Sequence, residues 1–319
     1  MLHRLRRIFD GKKTGYRKAS SPHRCAISGY ADQFYFFMSI RETEAENMNE
    51  ILCFDEVSYR YDTGGEQDAL YPFSVRLYKG EKIAVLGHNG AGKSTFFLLA
   101  NGVLRPQTGE IRLFGEPVGL KEKQRRKLRQ QVGLVFQDPD VQLLAGTVEE
   151  EISFGPMNLG LPREEVQRRV QNAMESLQLL SYRTRGPQYL SGGEKRRVAI
   201  AGVLAMEPNV MLLDEPASNL DPAGQALLNQ ILEDLHEKGI TLLIATHDVD
   251  FAWQWADRVL VFREGRLEKD AAPADVFADE ALIKRCGLES PMLWKVARAL
   301  QVPAPRSPEG FAAYKVEGR

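Results

Sequence analysis

The most informative segment of the sequence is Gly87-His88-Asn89-Gly90-Ala91-Gly92-Lys93-Ser94-Thr95. It follows the apolar run Ile83–Leu86 and leads into Phe96–Ala100, which predicts a strand, a glycine-rich turn and the start of a helix. Because glycine has no Cβ, the backbone can curl with its N–H groups facing inward, and the N-terminus of the helix adds further N–H groups and a positive dipole. Such a turn is suited to holding phosphate groups.

Two side chains of this stretch complete the prediction. Lys93 supplies a mobile positive charge for the outer phosphates, and the hydroxyl of Ser94 is placed to bind Mg²⁺. A glycine-rich surface turn, the alternative, would not need a strand before it and a helix after it. The sequence therefore predicts a site for a nucleoside triphosphate with Mg²⁺. The residues expected to contact the nucleotide are Gly87, Asn89, Gly90, Ala91, Gly92, Lys93, Ser94 and Thr95.

The composition is that of an ordinary globular protein. The chain has 319 residues, of which 43% are hydrophobic and 27% charged, and its formal net charge is −1. This length predicts roughly two domains or lobes, and a charge near zero gives no electrostatic reason to expect nucleic acid as a partner. Cys25, Cys53 and Cys286 are scattered, which favours reduced thiols over a disulfide or zinc framework. Apolar runs fall short of the roughly 18 residues that span a bilayer, so we expect a soluble chain.

The first 47 residues differ from the rest. Residues 1–24 are strongly basic, and Asp10 is their single acid. The apolar residues among them could line one face of a short basic helix on a membrane surface, and the composition also allows a transit peptide. A segment this polar has too little to bury, so we expect residues 1–47 to be a disordered leader, or to precede a true start at Met48.

Strand and helix signals alternate from Ile51 onward, which is typical of an α/β core with a parallel sheet. Helical periodicity dominates from Val148 to Met206, where Pro162 and the acids after it predict a helix start. The predicted strands are Ile51–Tyr59, Phe73–Tyr78, Lys82–Leu86, Glu110–Phe114, Val132–Phe136, Val210–Leu213, Thr241–Ala245 and Arg258–Phe262. The predicted helices outside the helical region are Lys121–Gln130, Ala223–Glu237 and Phe251–Ala256.

These signals divide the chain beyond the leader into two parts. A core spans residues 48–270, and a helical segment is inserted into it at about residues 139–207. Residues 271–319 form an extension, with helices first and a looser, proline-bearing tail after Val302.

A second chemical element lies at the end of a predicted buried strand. Val210–Leu213 is followed at once by Asp214 and Glu215. In an open parallel sheet, ligands bind beyond the carboxyl ends of the strands, so both acids are expected beside the phosphates. Asp214 is then positioned to assist Mg²⁺, and Glu215 to orient or deprotonate a water molecule. Alone the pair would be an ordinary acidic strand end, but beside a phosphate loop it becomes a specific signal.

A third element is Leu190-Ser191-Gly192-Gly193-Glu194, which precedes a helical stretch. A serine and two glycines leave the N–H groups of a helix N-terminus unobstructed, which predicts a second anion site. With this element the sequence resembles the ATP-binding cassette (ABC) ATPases over residues 50–270. Gly87–Thr95 matches their Walker A loop, Val210–Glu215 their Walker B strand and Leu190–Glu194 their signature. The resemblance implies a P-loop NTPase (RecA-like) core with an antiparallel β subdomain and an inserted helical signature subdomain.

The resemblance implies roles that no pattern identifies by itself. Gln137 matches the glutamine that senses Mg²⁺ and the γ-phosphate, and His247 matches the switch histidine at the γ-phosphate. Tyr61 is the expected aromatic residue stacked on adenine, with Tyr59 as the alternative. The implied catalytic residues are Glu215, His247, Lys93 and Gln137. Those implied for Mg²⁺ are Ser94, Gln137 and Asp214, and those for ATP outside the loop are Tyr61, Ser191, Gly192 and Gly193.

In the ABC family two cassettes close head-to-tail. Each ATP then lies between the Gly87–Thr95 loop of one chain and the Ser191–Gly193 helix end of its partner. Asn219-Leu220-Asp221 matches the loop that crosses between the protomers. Glu194 stands where glutamine is commoner and Asn219 where alanine is frequent, and neither departure removes a catalytic group.

Gln137–Leu144 and Thr147–Pro156 resemble the energy-coupling-factor subgroup, which takes up cobalt, nickel or vitamins. That resemblance implies an ATPase that uses ATP and Mg²⁺, forms a homo- or heterodimer with a second ABC ATPase subunit, and lies peripherally on the cytoplasmic face of the cell membrane. Its further partners would be a transmembrane coupling subunit and a substrate-binding membrane subunit, with Ala272–Leu300 resembling the extension that helps to dimerise the cassettes. We expect cobalt or nickel as the cargo, and a vitamin importer or a non-transport ABC ATPase as the alternatives.

The residues directly after Gln137 are candidates for the docking site of the membrane partner. Val141, Leu143 and Leu144 could form an apolar groove, or could instead be buried in the core of the helical segment. Glu149 and Glu150 could form an acidic rim of that groove, or simply a solvated helix start that the helix dipole favours.

Overall fold

The computed structural model describes residues 49–62, 67–119 and 121–314. The leader expected at residues 1–47 lies outside the described residues. Within these residues the strands are β1 Glu50–Tyr59, β2 Leu70–Tyr78, β3 Lys82–Leu86, β4 Thr108–Leu113, β5 Glu116–Pro117, β6 Val132–Val135, β7 Val210–Asp214, β8 Thr241–Thr246, β9 Arg258–Arg263 and β10 Arg266–Ala271. The α-helices are α1 Lys93–Ala100, α2 Glu122–Gln131, α3 Val148–Asn158, α4 Arg163–Ser176, α5 Gly192–Leu204, α6 Pro222–Glu237, α7 Val249–Trp255, α8 Pro273–Phe277, α9 Glu280–Arg285 and α10 Met292–Leu300.

The larger sheet has the strand order β10-β9-β3-β8-β7-β6. Strands β9, β3, β8, β7 and β6 are parallel, and β10 pairs antiparallel at one edge. Every residue of β7 and β8 is buried, which is why these strands read as continuous apolar runs in the sequence. The carboxyl ends of β3, β7 and β8 share one edge of the sheet, and the sequence-predicted chemical groups follow these three ends.

The smaller sheet is antiparallel, with the order β2-β1-β4-β5. Its inner face holds an aromatic cluster in which Phe54 and Phe73 pack on Phe96 of α1, and Phe73 and Phe96 pack on Phe262 of β9, with ring centroids 5.2–6.0 Å apart. Aromatic rings bury large apolar areas, so this cluster fastens the small sheet to the helix that follows the phosphate loop.

The inserted helical segment consists of α3, α4 and α5, which pack against one another around residues such as Ile152, Val170 and Val198. Helices α3 and α5 each begin with a capping box, in which Thr147 or Ser191 exchanges hydrogen bonds with the glutamate three residues later. Their core is continuous with one face of the larger sheet. The helical segment is therefore fixed to the sheet through α5.

The expected α/β core is confirmed, and the predicted elements begin and end within about three residues of the observed bounds. Strands β5 and β10 were not predicted. β10 carries Arg266, Glu268, Lys269 and Asp270 along an outer edge of the sheet, where a strand needs few apolar side chains. Its sequence therefore lacks the apolar alternation that predicts a strand.

The extension forms α8, α9 and α10, and the tail after them packs on α7. The indole Nε1 of Trp253 donates to the carbonyl oxygen of Pro305 at 2.8 Å. The guanidinium of Arg306 lies 5.0 Å from the centre of the Trp253 ring and donates to the carbonyl oxygen of Ala256 at 3.0 Å. A cation here satisfies carbonyls at the end of a helix, so the tail is held where we expected it to be looser.

Among the described residues, no helix is at once long and apolar enough to pass through a membrane. Cys53 and Cys286 are free, buried thiols, as expected, and Cys25 lies outside the described residues. Burial raises the pKa of Cys53 to about 11, so this thiol stays protonated and unreactive at neutral pH.

Gly133 in β6 generates the first testable prediction. A Cβ at this position would overlap Cγ1 of Val203 in α5, so β6 and α5 meet at a distance that only glycine allows. We expect Gly133→Ala to lower the free energy of unfolding by about 1–3 kcal/mol, the usual effect of over-packing a core, as measured by urea denaturation.

Gly202 supplies the matched control for this substitution. A Cβ at Gly202 would have its nearest neighbour, the carbonyl oxygen of Glu151, at 3.8 Å, so alanine fits there. Gly202→Ala should leave the stability unchanged or raise it by about 0.5–1 kcal/mol, since alanine favours a helix more than glycine does. A denaturation midpoint that Gly133→Ala does not change would show that α5 can move away from the sheet without cost.

Candidate active site

The predicted phosphate loop joins β3 to α1. Two of its glycines lie so close to neighbouring strands that a Cβ would not fit. A Cβ at Gly87 would overlap the carbonyl oxygen of Phe262 in β9. A Cβ at Gly92, where φ is 107°, would lie 2.7 Å from Cδ2 of Leu70. The amide of Ala91 donates to the carbonyl of His88 at 3.0 Å, which closes the turn between them. Sterics of the surrounding strands thus require glycine at both ends of the loop.

Lys93 brings a positive charge into this loop. Its ammonium Nζ donates to the carbonyl oxygen of Gly87 at 2.5 Å and to that of His88 at 3.2 Å. Burial lowers the pKa of Lys93, while the nearby carboxylates of Glu215 and Asp214 oppose that shift. The charge is therefore held by backbone carbonyls, which phosphate oxygens can replace as acceptors.

Ser94 and Asp214 meet across the mouth of the loop. The hydroxyl Oγ of Ser94 donates to Oδ2 of Asp214 at 2.6 Å, and Asp214 is the buried last residue of β7. Hydroxyl and carboxylate oxygens are the ligand type that Mg²⁺ prefers, and Mg²⁺ usually takes few protein ligands and completes its shell with phosphate and water. The residues present therefore fit Mg²⁺.

Glu215 follows Asp214 in an unusual backbone conformation. Its φ is 45°, a left-handed value that costs a residue with a Cβ roughly 1 kcal/mol or more, and such strain concentrates at functional sites. The amide of Glu215 donates to the carbonyl of Ala245 at 2.9 Å. Both oxygens of its buried carboxylate lie 3.0 Å from Nδ1 of His247, whose side chain is 76% exposed. The pair joins a sheltered carboxylate to an imidazole on the solvent side.

These groups line or border one cavity of about 430 Å³. Tyr61 lines it and is 3.1 Å from Oγ1 of Thr95 through its hydroxyl, whereas Tyr59 packs edge-on against Tyr61, with ring centroids 4.9 Å apart. His247 reaches the cavity through Glu215. The lining residues are Tyr61, Ala69, His88, Asn89, Gly90, Ala91, Gly92, Lys93, Ser94, Thr95, Gln137, Asp214 and Glu215.

The signature stretch does not join this cavity. Ser191 and Gly193 line a separate cavity of about 220 Å³, together with Leu220 and Asp221. Ser191 caps α5 by accepting from the amide of Glu194 at 3.3 Å, and Gly192 is the first residue of the helix. One chain therefore brings together all the sequence-predicted site residues except Ser191, Gly192 and Gly193.

Thr246 and Arg196 also contact the site and, like the cavity-lining Ala69 and His88, were given no role from the sequence. Oγ1 of Thr246 lies 3.4 Å from the carboxylate of Glu215. Arg196, in the second turn of α5, donates to the carbonyl oxygens of Phe136 and Gln137 at 3.0 and 2.5 Å. A threonine at a strand end and one arginine in a basic run have no spacing that would have identified them.

Comparison with known proteins gives consistent matches. The family model described as ABC transporter matches residues 70–218. The energy-coupling factor transporter ATP-binding protein EcfA2 of Methanospirillum hungatei is 43% identical over 261 residues, which are 82% of this chain and 65% of that protein. EcfA of Methanocaldococcus jannaschii, with the same description, is 44% identical over 247 residues, 77% of this chain and 87% of that protein. The solved structure of cbiO1 from Clostridium perfringens, part of the ABC transporter complex cbiONQ, has a TM-score of 0.67 at 39% identity and covers 80% of this chain and 100% of that one.

The matched segment includes the phosphate loop, the signature stretch and the acids that end β7. The similarity to the solved cassette extends over the sheets and helices as well as the motifs, so the P-loop NTPase fold expected from the sequence is confirmed. The chain therefore belongs to the ABC transporter ATP-binding proteins and, within them, to the ABC ATPases of the energy-coupling-factor group.

Proposed function

We propose that this chain is the ATP-hydrolysing subunit of an energy-coupling-factor importer that drives the uptake of cobalt or nickel. The observation that carries the proposal is the convergence on one cavity of a buried cation, Lys93, the oxygen pair of Ser94 and Asp214, and the carboxylate of Glu215. Phosphate binding, metal coordination and water activation are the main requirements of phosphoryl transfer. Each of these groups serves one of them.

ATP would bind with its phosphates on the Gly87–Thr95 loop. Lys93 would exchange the two carbonyls that it now contacts for phosphate oxygens, and its burial strengthens that attraction because the local dielectric is low. Tyr61 would stack on adenine, since Tyr61 lines the cavity and Tyr59 packs behind it.

Ser94 and Asp214, with Gln137 from the loop after β6, would hold Mg²⁺. When bound, the ion neutralises charge on the outer phosphates. The contribution of the chain is to fix the ligand oxygens in advance, because Asp214 ends a buried strand and already accepts from Ser94 at 2.6 Å. Gln137 lines the same cavity and is suited to sense the ion from the side of the helical segment.

Glu215 would orient the attacking water and accept its proton as a general base. The hydrogen bond from Nδ1 of His247 at 3.0 Å stabilises the charged carboxylate that this role requires. Because His247 is exposed on its other side, its remaining ring nitrogen is free to approach the γ-phosphate while Nδ1 holds Glu215. The carboxylate of Glu215 would thus act on the attacking water, and the imidazole of His247 on the γ-phosphate that the water attacks.

A second ATPase subunit is part of the proposal because Ser191, Gly192 and Gly193 lie away from the nucleotide cavity of their own chain. Head-to-tail closure of two chains would bring the N-terminus of α5 to the phosphates held by the partner, where its N–H groups and dipole favour negative charge. Closure also excludes water, which strengthens the electrostatic stabilisation of the transition state. A homodimer and a heterodimer meet this requirement equally.

The membrane subunits would dock in a groove beside the Gln137 loop. A cavity of about 760 Å³ lies between α2, α3 and α5, and Phe136 and Phe154 line it. Phe154 is 62% exposed, and Leu144 in the preceding loop is 83% exposed. Large apolar side chains held in water mark a surface that contacts another protein. A helix of the transmembrane coupling subunit would cover them, with the chain peripheral on the cytoplasmic face of the membrane.

The proposal keeps only some of the docking residues that the sequence suggests. Val141 and Leu144 are exposed, whereas Leu143 packs partly buried against the core. Glu149 and Glu150 are more than a solvated rim, because Glu149 pairs with Arg183 at 2.5 Å and Glu150 caps α3 by accepting from the amide of Thr147 at 3.1 Å. Charge reversal at these acids would disturb folding, so the apolar residues are the better test.

The resemblance of the Gln137–Leu144 and Thr147–Pro156 runs to the energy-coupling-factor subgroup supports the type of importer, and it allows a metal or a vitamin as cargo. Cobalt or nickel is proposed as substrate of the whole importer, and a substrate-binding membrane subunit would contact it. Vitamin uptake is the other outcome that a transport measurement can give.

The first test of this function is Glu215→Gln, which removes the proposed base and keeps the size of the side chain. Turnover, measured as phosphate release, should fall by about 10²- to 10⁴-fold, the usual contribution of a general base. ATP binding should persist, and ATP-bound dimer should accumulate in size-exclusion chromatography. Glu116→Gln, at an exposed glutamate of β5, is the control. Turnover near that of the wild type in Glu215→Gln would mean that another group activates the water.

The second test distinguishes the nucleotide cavity of a chain from the start of its α5, which is proposed to act on the nucleotide of the partner. Ser191→Arg should leave ATP binding to the isolated chain intact, because Ser191 does not line the nucleotide cavity. Hydrolysis should fail, since a long side chain at the start of α5 would block the phosphates of the partner. The lost cap costs about 1 kcal/mol, so the melting temperature is measured as well.

Ser181→Arg, at an exposed serine of the helical segment, controls for the added charge in this second test. Loss of ATP binding by Ser191→Arg in a calorimetric titration would contradict an action of α5 on the nucleotide of a second chain.

The third test concerns the membrane partner. The double variant Leu144→Asp, Phe154→Asp places one charge in the proposed docking groove, at Phe154, and one in the loop before it, at Leu144. Leu180→Asp places a charge on an exposed leucine elsewhere in the helical segment. The double variant should keep ATP binding but lose co-purification with the coupling subunit and lose uptake of cobalt or nickel in cells. Retained complex and uptake would show that docking lies elsewhere, and wild-type cells that import a vitamin but neither metal would change the cargo assignment.

A further inference from the structure

Arg196 is a buried cation that joins three segments around the nucleotide cavity. It lies in the second turn of α5 and is 5% exposed. Its Nη1 donates to the carbonyl oxygens of Phe136 and Gln137, and its Nη2 donates to Oγ of Ser218 at 3.3 Å. Among the ion pairs of the described residues, none includes Arg196, so its direct hydrogen-bond partners are backbone and hydroxyl oxygens. Burial lowers the pKa of Arg196, and the carboxylates of Asp138 and Asp214 oppose that shift from farther away.

Both loops that Arg196 contacts reach the nucleotide cavity. The side chain of Gln137 lines that cavity while its carbonyl accepts from Arg196. Ser218 donates from its hydroxyl to the carbonyl oxygen of Glu215 at 2.8 Å. Arg196 is therefore one hydrogen bond from the backbone of Gln137 and two from that of Glu215. A change in position of either residue has to displace an acceptor of the same guanidinium.

The other end of this connection is the beginning of α5. Arg196 lies five residues after Ser191, about 7.5 Å along the helix at 1.5 Å per residue. The capping box of Ser191 and Glu194 makes the first turn rigid. The adjacent Lys195 adds a second link, since its Nζ contacts Oδ1 of Asp140 at 2.6 Å in the turn that follows Gln137. The helix start and the Gln137 loop are thus connected at two neighbouring positions.

Burial makes this connection stiff. A guanidinium stays charged even when it is buried, so its burial is costly unless its N–H groups have acceptors, and each buried donor without one is unfavourable. Nε of Arg196 has no hydrogen-bond partner among the described residues, so the cation depends on its Nη contacts. A loop that moved alone would leave those donors unpaired. We therefore expect the two loops and α5 to move together, because the hydrogen bonds of Arg196 are kept only in that way.

We propose that Arg196 is a positioning residue for ATP hydrolysis, which passes the state of the nucleotide bound in its own chain to the helix end that faces the nucleotide of the partner. This inference rests on the proposed function, in which Ser191–Gly193 act on a second chain. Arg196 contacts no substrate. It sets where α5 begins relative to Gln137 and Glu215, so the two nucleotides of a dimer respond to each other.

The test compares two arginines that are neighbours in α5. Arg196→Met removes the donors and keeps much of the side-chain volume, and Arg196→Lys keeps the charge and one donor group. Arg197→Met is the matched control, because Arg197 donates to the carbonyl oxygens of Leu177 and Gln178 in the helical segment, away from the cavity. Calorimetry gives the Kd for ATP of the full chain, phosphate release gives kcat, and thermal denaturation gives the melting temperature.

Arg196→Met should lower kcat by at least about fivefold and leave the Kd within about twofold, since couplings between sites are commonly 5- to 150-fold. Arg196→Lys should recover much of the loss, and Arg197→Met should keep kcat near the wild-type value. If Arg196 had a purely structural role, the fraction of protein that binds ATP would fall together with kcat. The fall would then be equal in Arg196→Met and Arg197→Met. An unchanged kcat in a folded Arg196→Met protein overturns the inference.

Hydrogen exchange in the wild-type chain keeps the inference testable if Arg196→Met does not fold. Addition of ADP should slow exchange in the phosphate loop and also, by at least about fivefold, in residues 194–200 of α5, which do not line the cavity. Protection confined to the phosphate loop would overturn the inference. Glu215→Gln in the same turnover assay separates the two proposals: if it keeps turnover, the proposed role of Glu215 as the base fails, and if it loses turnover while Arg196→Met does not, the role of Arg196 alone fails.

Discussion

A buried positive charge is the constraint on which the active-site region depends. Lys93 could not stay charged in a nearly closed part of the molecule without close acceptors, because removing an ion from water is costly. The loop supplies them by folding its own carbonyls, at Gly87 and His88, onto the ammonium group. That fold brings the backbone so close to β9 and β2 that glycine is required at Gly87 and Gly92. The acids at the end of β7 complete the balance of charge from the opposite side.

The parallel sheet brings the phosphate loop next to the other groups of the site. Strands β3, β8 and β7 are consecutive in the sheet, so Lys93, Asp214 and His247 lie near three carboxyl ends on one side of it, although Lys93 is far from the other two residues in sequence. Because these strands are buried on both faces, they have little freedom to shift in register. The scaffold is rigid where the phosphates would lie, and the side chains of Arg196 and Lys195 make the polar connection between the start of α5 and the Gln137 loop.

Much of the fold and of the candidate site could be predicted from the sequence because it rests on local patterns. The apolar run before Gly87, the glycines themselves and the acids after Val210–Leu213 each combine a short signal with a physical requirement. The choice between Tyr59 and Tyr61 could not be made in that way, since it depends on how two adjacent rings pack. Spacing alone also does not show that Ser191 lies away from the nucleotide cavity of its own chain. That expectation came from the family resemblance.

What the sequence could not predict are contacts between residues far apart in the chain. From the sequence, Glu149 could be the rim of a docking groove or part of a solvated helix start, and Arg196 had no assigned role. Their contacts with Arg183 and with the carbonyl of Gln137 are visible only in the structure. β10 was missed because an edge strand can be polar. The tail after Val302 looked loose because its order comes from α7, about 50 residues earlier. Except for β10, which pairs with the directly preceding β9, the stabilising partner of each feature lies too far away in the chain for a local sequence pattern to include it.

The packing of the tail on α7 also determines what the intrinsic tryptophan fluorescence of the protein measures. The chain has three tryptophans, Trp253, Trp255 and Trp294, and all of them lie in α7 or α10. Trp253 and Trp294 pack edge to face with ring centroids 5.1 Å apart, beneath the guanidinium of Arg306. The nucleotide cavity has no tryptophan among its lining residues. Intrinsic tryptophan fluorescence of this protein is therefore a local probe of how the extension sits on the helix that begins two residues after His247, and any change of emission on adding nucleotide reports motion that has travelled that far.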